Sequence, residues 1–253
     1  MENRKYYKPS DIAKMFSVHS NTVRLYEKLG FLSEAPRNEN GYRVYTEIHV
    51  SQMRICRCIF GYSFSNRRIR KCGRDILIAS ASQDWTLTRA KTIAYIHVIE
   101  QELSLADETV GIMKEWLSNL PSTYKSTSDT PLFSRKDLAD MLHVTLETIR
   151  NWDRNGMIKA TQTDEKGRVL YDSLNRDKAK MVYLLLQCSY SMSAIYKALY
   201  WGTRGQIDKA IVELETPDYQ EFLSAGDSWR KELKKILHGA NQILPILEGL
   251  KIN

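Results

Sequence analysis

Asp11-Ile-Ala-Lys-Met-Phe-Ser-Val-His-Ser-Asn-Thr-Val-Arg-Leu-Tyr-Glu-Lys-Leu-Gly-Phe-Leu32 returns 126 residues later, without a gap, as Asp137-Leu-Ala-Asp-Met-Leu-His-Val-Thr-Leu-Glu-Thr-Ile-Arg-Asn-Trp-Asp-Arg-Asn-Gly-Met-Ile158. At the same offset Gly41 meets Gly167, Val44 meets Leu170 and Tyr45 meets Tyr171, so the register outlasts the helical part. A fixed internal period is the mark of a duplicated supersecondary unit.

Within each copy the local chemistry spells helix, turn, helix. Ser10 and Asp11 suit the start of a short helix with Ile12, Ala13 and Phe16 near one face, and Val18-His19-Ser20 interrupts it. Thr22, Val23, Tyr26 and Leu29 resume helical spacing up to Gly30, a residue suited to a left-handed C-terminal cap. Beyond Ala35-Pro36, the run from Arg37 to Tyr45 reads as a two-stranded ribbon around Asn40-Gly41. Apolar helical positions then follow at Met53, Ile55, Ile59 and Ile69.

Val18-His19, Thr22-Val23-Arg24-Leu25-Tyr26-Glu27, Gly30-Phe31-Leu32 and Asn40-Gly41-Tyr42-Arg43-Val44-Tyr45 together resemble the signature of the MerR family of bacterial transcription regulators. The second copy is a divergent version. It keeps Val144-Thr145, Thr148-Ile149-Arg150, Gly156-Met157-Ile158 and Gly167, and puts Asn151-Trp152-Asp153 where the first has Leu25-Tyr26-Glu27. The resemblance implies a mainly α protein, two winged helix-turn-helix modules in tandem, that binds double-stranded promoter DNA, with RNA polymerase as a further partner at the promoter.

By the same resemblance the second helix enters the major groove while the wing and its surroundings grip phosphates. His19, Asn21 and Thr22 are then the groove-facing residues of module one, Asn21 being suited to bidentate pairing with adenine. Arg24, Tyr26, Tyr42 and Arg43 are the expected phosphate contacts, although Tyr26 also fits the core. Module two offers Thr145, Glu147 and Thr148, backed by Arg150, Trp152 and Arg168. A carboxylate at Glu147 is repelled by phosphates unless it accepts from cytosine N4, so an asymmetric operator is expected.

Each module precedes a long amphipathic stretch. Ile96, Ile99, Leu103, Ala106, Val110, Met113, Leu117 and Leu120 step by threes and fours, as do Phe222, Ala225, Trp229, Leu233, Ile236, Ala240, Ile243, Leu247 and Leu250. The resemblance identifies such stretches with dimerisation helices that pair antiparallel between two subunits. One chain holding both halves predicts an intramolecular pseudo-dimer; a homodimer with four modules is the alternative. The expected layout is a first module over 1–80, a helix over 84–120, a polar linker over 121–131, a second module over 132–204 and a coiled-coil helix over 215–251.

Charge fits two polyanion-facing modules. Residues 1–75 hold fifteen Lys/Arg against seven Asp/Glu, and residues 132–202 eleven against eight, while the stretches between and after are mildly acidic. No apolar run approaches the roughly 18 to 20 residues that span a bilayer, and Met1–Tyr7 has no apolar signal region, so the expected compartment is the cytoplasm.

Cys56, Cys58, Cys72 and Cys188 form neither a disulfide framework nor two ligand pairs; no metal and no cofactor is expected. Scattered histidines and the absence of a nucleophile–base pair or phosphate loop argue against an enzyme. Tyr183, Tyr190, Tyr196, Tyr200 and Trp201 offer either a lining for a small hydrophobic effector or, at helical spacing, core. An architectural DNA-bending role, or a second module specialised for protein contact, remain as alternatives to transcription regulation.

Overall fold

A computed structural model of the chain describes residues 6–61, 66–118, 131–214 and 219–250; side chains at 116–118 and 219–225 lie outside that description. Leu120 and the connector at 121–130 therefore lie outside the described residues, as do the side chains of Leu117, Phe222 and Ala225. The chain forms two compact units, residues 1–102 with 232–253, and residues 103–231.

In the first unit, α1 (Pro9–Met15) and α2 (Ser20–Lys28) form the helix-turn-helix, followed by α3 (Glu47–Phe60), α4 (Arg67–Ala81) and the start of α5 (Trp85–Ser118). Helix α1 begins two residues earlier than its sequence suggests, with Lys8 in place of Ser10 at the cap. Pro9 takes the first position, where a missing N–H costs nothing, and Asp11 reaches back to accept from the Lys8 amide at 2.8 Å. Ser10 thus lies inside the helix. Ser17 turns the chain with φ of 51° and Gly30 ends α2 with φ of 71°, a region that favours glycine. Ile12, Val23, Leu32, Met53, Ile55, Ile69, Ile76 and Leu77 form the buried core.

The wing of this module is thinner than the expected ribbon, being held by isolated bridges between Tyr7 and Tyr45 and between Arg37 and Arg43. Pro36 is the cause: its carbonyl accepts from Val44 N at 2.8 Å, but it has no N–H to extend the ladder. The tip closes where Asn38 O accepts from Gly41 N at 2.8 Å, with Gly41 at φ of 77°.

The second unit repeats the plan: β1 (Phe133–Ser134), α6 (Arg135–Met141), α7 (Leu146–Arg154), β2 (Gln162–Thr163), β3 (Val169–Tyr171), α8 (Ser173–Gln187), α9 (Met192–Gly202) and α10 (Ile207–Glu213). Its wing is a true antiparallel sheet in the order β1-β3-β2, with Phe133 opposite Tyr171 and Thr163 opposite Val169. His143, Gly156 and Gly167 have φ of 51°, 72° and 75°, matching Ser17, Gly30 and Gly41 at the offset of 126 residues. Helix α10 was not foreseen. It buries Ala210 and Ile211, with Leu214 just beyond its end, and their spacing of one, three and four is the signal that would have found it.

Helix α11 (Tyr219–Gly249) buries Trp229, Leu233, Ile236, Ala240, Ile243 and Leu247, the expected seam. The seam of α5 needs correction. Ile99, Ala106, Val110 and Met113 are buried as expected, Ile96 and Leu103 are only half-buried, and Thr88, Thr92, Tyr95, Glu102 and Thr109 join the buried line. The threonines are tolerated there because each hydroxyl donates to a carbonyl of its own helix: Thr88 to Asp84 at 2.6 Å, Thr92 to Thr88 at 2.8 Å and Thr109 to Leu105 at 2.7 Å. Within the first unit Arg89 Nη1 lies 3.7 Å from Glu248 Oε1. Within the second, Arg230 pairs with Asp107, Lys180 with Glu108, and Gly226 sits so near Val110 that an added Cβ would come within 2.6 Å of Val110 Cγ2.

Candidate nucleic-acid interface

Helices α2 and α7 bury one stripe and expose another. Val23 in α2, and Ile149 and Trp152 in α7, face the core. Outward, Asn21, Arg24, Leu25 and Lys28 occupy one face of α2, answered at the same offset by Glu147, Arg150, Asn151 and Arg154 on α7. These exposed faces border concave surfaces. One of about 780 Å³ is lined by Asn21, Arg24, Leu25 and Lys28 among others; one of about 540 Å³ is lined by Thr145, Glu147, Thr148, Asn151, Arg154 and Asn155. A third, of about 840 Å³, runs between Tyr6–Asp11, Arg24 and the wing residues Arg37, Tyr42 and Arg43.

His19 and Thr145 are helix caps as well as exposed side chains. His19 Nδ1 accepts from Asn21 N at 3.2 Å, and Thr145 Oγ1 accepts from Thr148 N at 3.1 Å, each satisfying an otherwise unpaired first-turn amide. Thr22 and Thr148 are half-buried beside them. Asn21 Oδ1 accepts from Arg24 Nη1 at 3.4 Å. Glu147 lies between two cations, accepting from Arg150 Nη1 at 3.3 Å and from Arg154.

One residue is placed otherwise than expected. Trp152, expected at the phosphates, is 2% exposed; its indole is too large and apolar to leave the core at this position, so it is withdrawn as a DNA contact. Tyr26, at the equivalent place, is half-buried, its ring 5.3 Å from that of Phe60 and 6.1 Å from that of Phe31. Burial also raises the Tyr26 hydroxyl above its usual range.

On the wings, Tyr42 is 73% exposed, whereas the Arg43 side chain is 34% exposed and its Nε is bonded to Glu27. Glu27 Oε2 accepts from both Arg43 Nε and Tyr45 OH at 2.8 Å. In module two Asp153 Oδ2 accepts from Tyr171 OH at 2.7 Å and Arg135 Nη2 at 3.2 Å, and Arg135 Nε donates to Tyr171 OH at 3.2 Å. Burial, then the bond to Asp153, pushes the Tyr171 hydroxyl up to about 12; Tyr45 is raised for the corresponding reasons. Arg168 is exposed at the tip, its Nε 2.6 Å from Asp164 Oδ2. Arg67, Arg70, Lys71 and Arg74 also line an exposed face of α4; their spacing of three, one and three was the signal for a basic stripe that the sequence reading left unassigned.

The aromatic cluster is divided. Tyr183 is buried, while Tyr196 and Tyr200 are exposed on α9, with the Arg204 guanidinium 3.6 Å over the Tyr200 ring and Lys209 4.6 Å over Trp201. Among the described residues no group of three or more His, Cys, Asp or Glu is placed to hold a metal ion, and no helix is long and apolar enough to cross a membrane. Burial raises the thiols of Cys56, Cys58, Cys72 and Cys188, the last up to about 12.

Comparison with known proteins finds the same two segments. Residues 8–45 match the family described as MerR family regulatory protein, and residues 133–201 match the MerR HTH family regulatory protein. The HTH-type transcriptional regulator CueR of Vibrio cholerae is 28% identical over 130 residues, covering 50% of this chain and 88% of that protein. The HTH-type transcriptional regulator ZntR of Escherichia coli K12 is 29% identical over 101 residues, covering 40% of this chain and 70% of that protein. CueR of Salmonella typhimurium is 28% identical over 96 residues, 38% of this chain and 67% of its own. No solved structure matches.

Proposed function

The chain is a MerR-family protein carrying two of that family's helix-turn-helix modules in tandem, and from that premise we propose that it regulates transcription by binding promoter DNA through both modules as an intramolecular pseudo-dimer. The observation that carries this reading is the repetition of a whole DNA-binding head. Turn residue, helix cap, wing glycine and the outward face of the second helix all recur at one offset.

In module one the base-reading residues are Asn21, His19 and Thr22, with Arg24 and Tyr42 at the phosphates; in module two they are Glu147, Thr145 and Thr148, with Arg150 and Arg168. The chemistry of the two faces differs. A neutral amide at Asn21 suits adenine, and a carboxylate at Glu147 suits cytosine N4, so the operator has unlike halves.

The pseudo-dimer is supported by the apolar seams of α5 and α11 and by the order of two contacts between them. Moving along α5 from Asp107 to Val110 corresponds on α11 to moving back from Arg230 to Gly226, the sense of an antiparallel pair. A second reading, in which module two has become a protein-binding module, draws on Glu147 neutralising Arg150 and Arg154.

A footprint on DNA upstream of the protein's own gene, comparing the unaltered chain with Arg24→Ala and Arg150→Ala, separates the two. The expected result is two protected groove segments about one helical turn or a multiple apart, each variant losing a different one. Loss with Arg24→Ala alone selects the second reading.

A further inference from the structure

The carboxylate at the end of each recognition helix is Glu27 in module one and Asp153 in module two, and the phenol it binds is Tyr45 or Tyr171; both pairs correspond at the offset of 126 residues. The arginines do not correspond. Arg43 comes from the wing and is answered in module two by Val169; Arg135 is the first residue of α6 and is answered by Pro9, the first residue of α1. The same carboxylate–phenol–guanidinium node is therefore built twice, with its cation from a different element each time.

That substitution discriminates between two roles for Arg43. A guanidinium that grips a phosphate must stand on the DNA-facing surface and cannot be exchanged for one at the head of the first helix. A guanidinium that satisfies a carboxylate can arrive from any direction that reaches it. The side chain of Glu27 is only 11% exposed, a setting in which a lone carboxylate is costly and a paired one is not.

We propose that Arg43 is a positioning residue and not a DNA contact: with Glu27 and Tyr45 it clamps the wing to the recognition helix, as Arg135 does with Asp153 and Tyr171 in module two. The clamp matters most in module one, where the wing is tied by two isolated bridges and a few further backbone bonds, Val44 to Pro36 and Asn38 to Tyr42 among them, and not by a continuous ladder. It sets where Tyr42 meets the phosphates relative to Asn21 in the groove. The inference rests on module one being a DNA-binding head.

The test uses the full chain and a duplex that the unaltered protein enriches from a random-sequence pool. Arg43→Val is expected to weaken binding about tenfold, the scale of one charge-assisted hydrogen bond. Adding Pro9→Arg, which moves the cation to where module two keeps it, is expected to bring affinity back to within about threefold, well inside that loss. Glu27→Gln is expected to weaken binding. If Arg43 grips a phosphate, releasing it from Glu27 strengthens binding or leaves it unchanged, and Pro9→Arg rescues nothing; either result overturns the proposal. Unchanged circular dichroism and thermal unfolding of the full chain show that each variant is folded. Arg24→Ala is the control: if it too leaves binding unaltered, or if no duplex is enriched, the DNA-head reading has failed rather than the clamp.

Discussion

Asn21 and Glu147 occupy the same place on their helices, and the difference between them is the sharpest chemical contrast between the two heads. Glu147 draws Arg150 and Arg154 along its own helix, and such exposed pairs contribute little to stability, so their consequence is electrostatic. Glu147→Gln is expected to raise affinity for mixed-sequence duplex and to steepen the fall of log K with log salt, by up to roughly 0.9 for each of the two arginines that gains a phosphate. Fluorescence anisotropy across a salt series measures it, and an unchanged slope would mean that these arginines do not reach phosphates. The glycines were the residues easiest to foresee, because Gly30, Gly41, Gly156 and Gly167 answer to local backbone demands. Trp152 was not, because nothing adjacent in sequence distinguishes an indole that meets DNA from one that completes a core.

The elements divide along the same line. The seam of α11 was legible because its buried positions are apolar. That of α5 was legible at Ile99, Ala106, Val110 and Met113 but not at Thr88, Thr92, Glu102 and Thr109, which read as surface residues; the threonines' hydroxyl bonds to backbone carbonyls have no signature in the sequence. The module-one wing falls short of a ribbon because Pro36, which the sequence sets before the ribbon, takes part in it and has no N–H to give. The clamp at the base of each wing also leaves a titration signature. With Tyr171 raised from 10.0 to about 12, its contribution is fully present below pH 10. It is lost as pH rises toward 12, because there the unfolded chain has released a proton that the folded one retains. Denaturant unfolding from pH 9 to 12 should show stability falling across that window, and Tyr171→Phe should flatten the fall; parallel profiles for the two proteins would contradict the node.

For the molecule, the repeat specifies two like modules, because a gapless offset across helix, turn and wing leaves few other arrangements. The joining of the heads was less legible, since a seam specifies that a partner helix exists and not which chain supplies it. Light scattering coupled to size exclusion should give a molar mass near 29.3 kDa for the pseudo-dimer, independent of loading; about twice that at low concentration would indicate pairing between chains.

The relocated guanidinium shows what carrying both heads in one chain permits. In a symmetric homodimer one codon serves two half-sites, so every substitution acts twice and its free-energy effect on the operator is doubled. On the proposed two-headed reading, Arg43 and Arg135 are separate inheritances: a change that weakens one head leaves the other intact, and each half of the operator would drift alone with the helix that reads it. A protein of this kind can acquire new target sites by steps that would each be too costly for a regulator obliged to change both hands at once.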